Sequence, residues 1–194
     1  MEKKIILLVG PPGSGRDFGA TLATHYIRSR TTGTFPQSVR LTDNLFEGVN
    51  RAFGLMFSAA TYMDKADTPL PEFFGWSPRQ TYDDILAFFQ EKYKHNFLGR
   101  VTLRRIKNDA TTKVWIIPFY EGTIEDAMAL ATGLGAKNVL CIHLNERPTE
   151  QWTSNLILRD STHRFIDNHG RDREVFSICV RGAVKKFLGI TEDE

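Results

Sequence analysis

The stretch from Lys3 to Phe18, KKIILLVGPPGSGRDF, constrains the chain more than any other. A short apolar run, Ile5 to Val9, leads into Gly10-Pro11-Pro12-Gly13-Ser14-Gly15 and then into a helical segment opened by the charge pair Arg16-Asp17. That order predicts a buried strand, a glycine-rich turn and a helix start. Glycines let a backbone wrap an anion with its N–H groups, and a helix N-terminus adds a favourable dipole. From Gly10 to Gly15 the spacing is G-x-x-x-x-G, the first part of a phosphate-loop signature. That signature continues with Lys and then Ser or Thr, the lysine reaching the β/γ-phosphates and the hydroxyl binding Mg²⁺. Here Arg16 and Asp17 stand in those places. Arginine keeps the charge and can bind phosphate bidentately through a bulkier, fixed fork. A carboxylate is a hard oxygen ligand, so Asp17 is the candidate for Mg²⁺. The expected phosphate-contacting set is therefore Gly10, Pro11, Gly13, Ser14, Gly15, Arg16, Asp17 and Phe18. The competing reading is a turn that only joins a strand to a helix.

Beyond this stretch, helical and strand-like segments alternate, which predicts an α/β fold with a parallel sheet. Asp17 to Arg30 carries Phe18, Leu22 and Tyr26 at four-residue steps, predicting a helix with that stripe buried. Ser38 to Leu41 reads as a second strand, delivering Asp43 to the C-terminal end of the sheet, where open parallel sheets place their ligand crevice. A helix is expected over Asp43 to Gly54, followed by an irregular cover over residues 55–77 whose Phe73, Phe74 and Trp76 form either a nucleobase slot or local core. Ser77-Pro78 is a helix start, with Tyr82, Ile85, Leu86, Phe89 and Tyr93 facing inward and the cation Arg79 in the first turn, where an anionic partner would suit it. The next helix, Phe97 to Lys107, sets Arg100 and Arg104 one turn apart beside Arg105, either a two-pronged anion site or a solvated basic face.

Lys113 to Pro118 and Asn138 to Leu144 read as buried strands, separated by a helix with a capping-box start at Thr123 to Asp126. The polar segment 146–163 carries Arg147, Arg159 and Arg164 and is expected to be a lid supplying cations to a transferring group, with Arg159 as a catalytic cation. A fifth strand around Phe165 to Asp167 and a helix over Arg171 to Leu188 complete the chain. At 194 residues this suits a single domain. No apolar run approaches the roughly 20 residues that cross a bilayer, so no membrane partner is expected and a cytoplasmic location follows by default. Net charge is only +2, which does not by itself indicate a nucleic-acid partner. Cys141 and Cys179 lack metal-type spacing and read as buried reduced thiols.

Several separated segments together resemble the phage-type deoxynucleoside monophosphate kinases and the related animal-type phosphomevalonate kinases. They are SGRDF at 14–18, LTDNLFEGVNRAFGL at 41–55, WSPRQTYDDI at 76–85 with Arg100 beyond it, EDAMALATGLGAKNVLCIHLNERP at 125–148 and FIDNHG at 165–170. The resemblance implies a P-loop kinase domain over residues 1–194: a three-layer fold on a five-stranded parallel sheet, with an acceptor-covering segment at 55–77 and a lid at 146–163. It also implies ATP and Mg²⁺ as cofactors and a phosphorylated acceptor bound under Asp43, Arg79 and Arg100; Trp76 and Arg104 are further candidates for the acceptor, and Arg16, Asp17 and Asp43 are candidates for catalytic roles. Two departures stand out. Arg16 replaces a lysine, and Pro118-Phe119-Tyr120 replaces an acidic residue followed by arginine, leaving Arg104 or Arg105 to compensate.

Three functions follow as expectations. The first is γ-phosphoryl transfer from ATP to a deoxynucleoside monophosphate. The second is phosphorylation of a hydroxyl on a modified base of phage DNA, such as 5-hydroxymethyluracil, with Asp43 as general base and the basic stretch 100–107 on the DNA backbone. The third is a nucleotide-binding protein without catalysis. Nucleotide substrates are the expected partners, DNA is an alternative acceptor, a homodimer is a permitted assembly, and a phage-encoded chain would work in the host cytoplasm.

Overall fold

A computed structural model of the protein describes residues 2–54, 65–119, 122–170 and 172–191. Five strands, β1 (Lys4–Val9), β2 (Gln37–Ser38), β3 (Val114–Phe119), β4 (Val139–Leu144) and β5 (Thr162–Ile166), form one sheet in the order β2-β3-β1-β4-β5, with every pairing parallel. The fold is therefore α/β with a five-stranded parallel sheet, as the alternation of segments predicts.

Side chains alternate across a strand, so β1 divides the core between two faces. Ile5 and Leu7 join Trp115, Ile117, Val139 and Cys141 on one face, while Ile6 and Leu8 join Ile116, Leu140 and Ile142 on the other. The first face is covered by α4 (Phe97–Asn108) and α5 (Ile124–Leu134) through Leu98, Ile106, Ala127 and Leu130. The second is covered by α1 (Arg16–Arg30) and α7 (Arg173–Leu188) through Ala20, Ala23, Ile27, Phe176 and Val180. The hand of βαβ crossovers accounts for this distribution. Steps from β2 to β3, β4 and β5 all run the same way across the sheet, so right-handed connections stay on one face. The step from β1 to β2 runs the opposite way and must cross on the other face, which is where α1 lies.

Between β2 and β3 the chain forms α2 (Asp43–Ala52), a 3₁₀ turn at Pro71–Phe73 and α3 (Pro78–Tyr93) before α4. Val49, Phe73 and Tyr82 make a small separate core there, and the Tyr82 hydroxyl donates to Asn50 Oδ1 at 2.7 Å. The capping box expected at Thr123 with Asp126 is present, and Ser77, expected as an N-cap, forms a second capping box with Gln80. Among the described residues, no helix is long and apolar enough to cross a membrane.

Several expectations need correction. The buried face of α1 is Arg16, Gly19, Ala20, Ala23 and Ile27, not the stripe of Phe18, Leu22 and Tyr26. Small residues let the helix lie close to β1, and the larger ones flank the contact, with Phe18 exposed against Phe176. Tyr93 on α3, expected to face inward, is exposed. The fifth strand starts at Thr162, so the segment before it is shorter than expected. Strand β3 runs through Pro118, which lacks a donor. Residue 118 presents its backbone on the β2 side, as does Ile116, whose carbonyl accepts the Val39 N–H at 3.0 Å, and β2 ends before reaching residue 118.

Helices α4 and α5 meet at Gly99, where an added Cβ would lie 2.4 Å from the Asp126 carbonyl oxygen and 2.7 Å from its Cα. The Asp126 carboxylate also accepts the Gly99 N–H. Backbone atoms cannot turn aside as a side chain can, so Gly99→Ala is expected to lower stability by about 2–3 kcal/mol in denaturant titration. Gly182 lies within α7 with none of the described atoms near its Cβ position. Gly182→Ala should instead raise stability by about 0.5–1 kcal/mol.

Candidate functional site

The glycine-rich loop connects the C-terminal end of central β1 to α1, where the crossover direction reverses, and open α/β sheets bind ligands at that point. Its conformation depends on particular glycines. Gly15 is the residue before α1 with φ 91°, a left-handed value that L side chains avoid. A Cβ on Gly10 would meet the Leu144 carbonyl at 2.6 Å and Ser14 Oγ at 2.8 Å, so this position passes against the end of β4. Asn168 Nδ2 donates to the Ser14 carbonyl at 3.0 Å, and Asn145 Oδ1 accepts the Asn168 N–H at 2.6 Å. The loop is thus braced from the turns that follow β4 and β5.

Two polar groups point to an anion here. Ser14 is 1% exposed, and its Oγ has no hydrogen-bond partner among the described residues. Arg16 is 5% exposed, with Nη1 donating to the Phe119 carbonyl at the end of β3 at 3.0 Å. A crevice of about 360 Å³ opens beside them, walled by Gly10, Pro11, Arg16 and Phe119 on one side and by Glu146, Gln151 and Trp152 on the other. A buried guanidinium, an unpaired hydroxyl and the positive end of a 15-residue helix can together hold a phosphate.

Asp17 lies on the exposed side of α1, where its Oδ1 pairs with Arg40 Nη2 at 3.4 Å. Asp43 Oδ2 accepts the Arg40 N–H at 2.8 Å. Arg40 therefore links the two acidic residues that the sequence singled out, and the sequence reading missed it. Its only signal is its place between β2 and Asp43. Each carboxylate is a hard oxygen ligand of the kind Mg²⁺ takes, and each is engaged here by Arg40.

The expected acceptor residues are only partly brought together. Arg79 pairs with Asp67, Nε to Oδ1 at 2.6 Å and Nη2 to Oδ2 at 3.3 Å, which lowers the Asp67 pKa. Arg100 and Arg104 are exposed on α4, whereas Arg105 reaches α2, 3.4 Å from Asn44 Oδ1 and 3.8 Å from Glu47. Phe73, Phe74 and Trp76 do not form a slot. Phe73 is buried in the small core, and Phe74 and Trp76 project outward, 84% and 56% exposed. Instead, an apolar cavity of about 390 Å³ lies between α2, α3 and α4, walled by Leu41, Leu45, Phe53, Phe89, Phe97 and Val101. Asn44 also lines it, and its Nδ2 has no hydrogen-bond partner among the described residues. Residues 55–64 of the expected covering segment, and Tyr120 and Glu121 after β3, lie outside the described residues.

The segment expected to be a lid is anchored. It contains α6 (Glu150–Thr153), and Trp152 stands edge-on to Phe119 and to His143, with ring centroids 6.0 and 5.2 Å apart. Leu158 is fully buried in the core of that face. Arg159 pairs with the adjacent Asp160 at 3.6 Å, and the Arg147 guanidinium sits 5.5 Å from the Phe165 ring centre. Arg164 is not part of this segment. It belongs to β5 and lines a cavity with Cys179 and Ala183 of α7, on the opposite face. Cys179 is half-buried rather than buried, and both cysteines are free thiols.

Beneath the anchored segment, His143 Nε2 and His163 Nδ1 lie 3.0 Å apart, and His163 Nε2 lies 3.0 Å from the Leu158 carbonyl. Only an N–H can serve that carbonyl, so His163 carries its proton on Nε2 and accepts from His143 at Nδ1. Cys141 Sγ completes a group whose ligand atoms all lie within 4.8 Å of one another. The cysteine reading thus missed a cluster: Cys141 and His143 are two apart on β4, on one side of the sheet, and strand register places His163 beside Cys141. A comparison with protein-family models and with curated protein sequences finds no match for the chain.

Two predictions follow from these contacts. Asn168→Ala removes the side-chain donor to the loop and should cost about 1 kcal/mol of stability, read as a lowered melting temperature. Burial, and secondarily His163, pushes the His143 pKa from 6.5 down to about 4. The unfolded chain therefore takes up a proton before the folded one does. Stability contributed by neutral His143 is complete above pH 6.5 and falls as the pH drops toward 4, by at most about 3 kcal/mol. Urea titrations across that window should show a shallower fall for His143→Gln.

Proposed function

We propose that the protein is an ATP-dependent phosphotransferase of the P-loop kinase type, transferring the γ-phosphoryl group to a deoxynucleoside monophosphate. The observation that carries this reading is the loop at the switch point, with buried Arg16 lining a crevice and an unpartnered Ser14 hydroxyl buried in the same loop. Phosphoryl transfer asks a protein mainly for positioning and charge neutralisation. Loop N–H groups and Arg16 would hold the β/γ-phosphates. The fork of a guanidinium can serve a carbonyl and an anion at once, which makes Arg16 a workable replacement for lysine. Mg²⁺, when bound, neutralises charge on the phosphate oxygens, and Asp17, beside the loop on the first turn of α1, is the carboxylate that would hold it, exchanging its pairing with Arg40 for the ion.

A nucleotide acceptor is favoured by the cavity between α2, α3 and α4. Its aromatic and aliphatic walls suit the faces of a planar base, and the Asn44 amide supplies a donor for a ring or carbonyl acceptor atom. Asp43 stands at the start of the same helix, α2, at the C-terminal end of the sheet. This arrangement favours a free nucleotide over a base within DNA, because a pocket of this size accommodates one base with its sugar.

The deciding measurement is transfer of label from γ-labelled ATP, with Mg²⁺, to a panel of nucleoside monophosphates and to DNA with normal or hydroxymethylated pyrimidines. Label should appear in a nucleoside diphosphate, and Arg16→Ala should reduce the rate by about 100-fold or more. Label retained only on modified DNA would replace the acceptor assignment, and tight ATP binding with no transfer to any acceptor would overturn the enzyme reading.

A further inference from the structure

We infer that Cys141, His143 and His163 form a binding site for a divalent metal ion of the zinc class, built into the sheet beneath the segment that follows β4. The site stands apart from the phosphate-binding crevice and does not depend on the kinase reading. One sulfur and two imidazole nitrogens, drawn from two adjacent strands, lie within 4.8 Å of one another. Tetrahedral zinc, with Zn–N of about 2.0–2.1 Å and Zn–S of about 2.3 Å, needs its ligand atoms roughly 3.3–3.8 Å apart, so little closure is required. The two nitrogens, at 3.0 Å, need only open by a few tenths of an ångström, and the sulfur need only draw in from within 4.8 Å.

The surroundings have the features that metal-ligating histidines need. His163 donates its far N–H to the Leu158 carbonyl, which fixes the ring and turns the Nδ1 lone pair toward the cluster. His143 is wedged by the edge of Trp152. Cys141 and His143 are buried and His163 is half-buried, so water is limited and His163 provides the approach. Thiolate with imidazole is a borderline-soft donor set that selects zinc over Mg²⁺ or Ca²⁺. Three protein ligands leave the fourth position to water or an added ligand.

Binding is balanced in protons. Forming the metal–sulfur bond releases the Cys141 thiol proton to solvent. His143 moves its N–H from Nε2 to Nδ1 and coordinates through Nε2, with no net change. One proton therefore leaves per ion, and affinity should rise about tenfold per pH unit below the thiol pKa.

The test titrates the full chain with Co²⁺ and then displaces it with Zn²⁺, following the thiolate-to-cobalt charge-transfer band and the tetrahedral ligand-field bands. The Cys179→Ser variant leaves Cys141 as the one remaining thiol and should keep the band at one equivalent. Cys141→Ala and His163→Gln should each weaken Zn²⁺ binding by at least about 100-fold in chelator competition, while far-UV circular dichroism of the metal-free proteins is unchanged. Zn²⁺ should raise the melting temperature of the wild type, and Mg²⁺ should not compete. Absence of the charge-transfer band in Cys179→Ser, or equal Zn²⁺ affinity in Cys141→Ala, would overturn the site.

Discussion

The reversal of crossover direction at β1 is the constraint on which the rest of the structure depends. Because strand connections keep one hand, the single step that runs against the others sends α1 to the face opposite α4 and α5. The two layers diverge at the C-terminal end of the central strand, and the loop from Gly10 to Gly15 occupies the gap. Its anchors come from three strand ends: Phe119 at the end of β3 through Arg16, the close approach of Gly10 to Leu144 of β4, and Asn168 after β5. A loop held on three sides presents its N–H groups in fixed positions, as an anion site requires if no reorganisation is to accompany binding.

Much of this architecture is legible in the sequence, for identifiable reasons. Buried parallel strands read as continuous apolar runs, and Ile5 to Val9, Val114 to Ile117 and Val139 to Ile142 are such runs. Helix starts at Ser77 and Thr123 are encoded by local hydrogen-bonding groups three residues apart, so they need no tertiary information. The buried face of α1 is different. Periodicity marks the largest residues, but the helix approaches β1 through Gly19, Ala20 and Ala23, because a close contact needs small side chains. Phe18 and Tyr26 carry the hydrophobic signal yet sit beside the contact.

Candidate site residues follow the same division. Those fixed by local chain geometry, the loop and the start of α2, lie together at one end of the sheet. Those on separate elements depend on pairings that a sequence does not display. Arg79 meets Asp67, Arg105 rather than Arg100 or Arg104 reaches α2, and Arg164 turns to the α7 face because β5 begins three residues before the expected position. The alternation of a strand makes such a shift decisive: an arginine placed in a loop can face a crevice, whereas in β5 its face is set by its neighbours Phe165 and Ile166.

The segment after β4 joins the two chemically distinct regions of the molecule. Trp152 walls the crevice beside Arg16, and its ring edge contacts both Phe119, whose carbonyl holds Arg16, and His143 of the buried cluster. Contact therefore runs without a break from His163 through His143, Trp152 and Phe119 to the cation in the crevice. Contiguity of this kind transmits a change only if one of its members has two arrangements of similar free energy. His163 also donates to the Leu158 carbonyl, so the cluster is tied to the far end of the segment as well as to Trp152. Occupation of the cluster would thus act on both ends of one short stretch, Trp152 and Leu158, and the wall carrying Glu146 and Gln151 is attached to it.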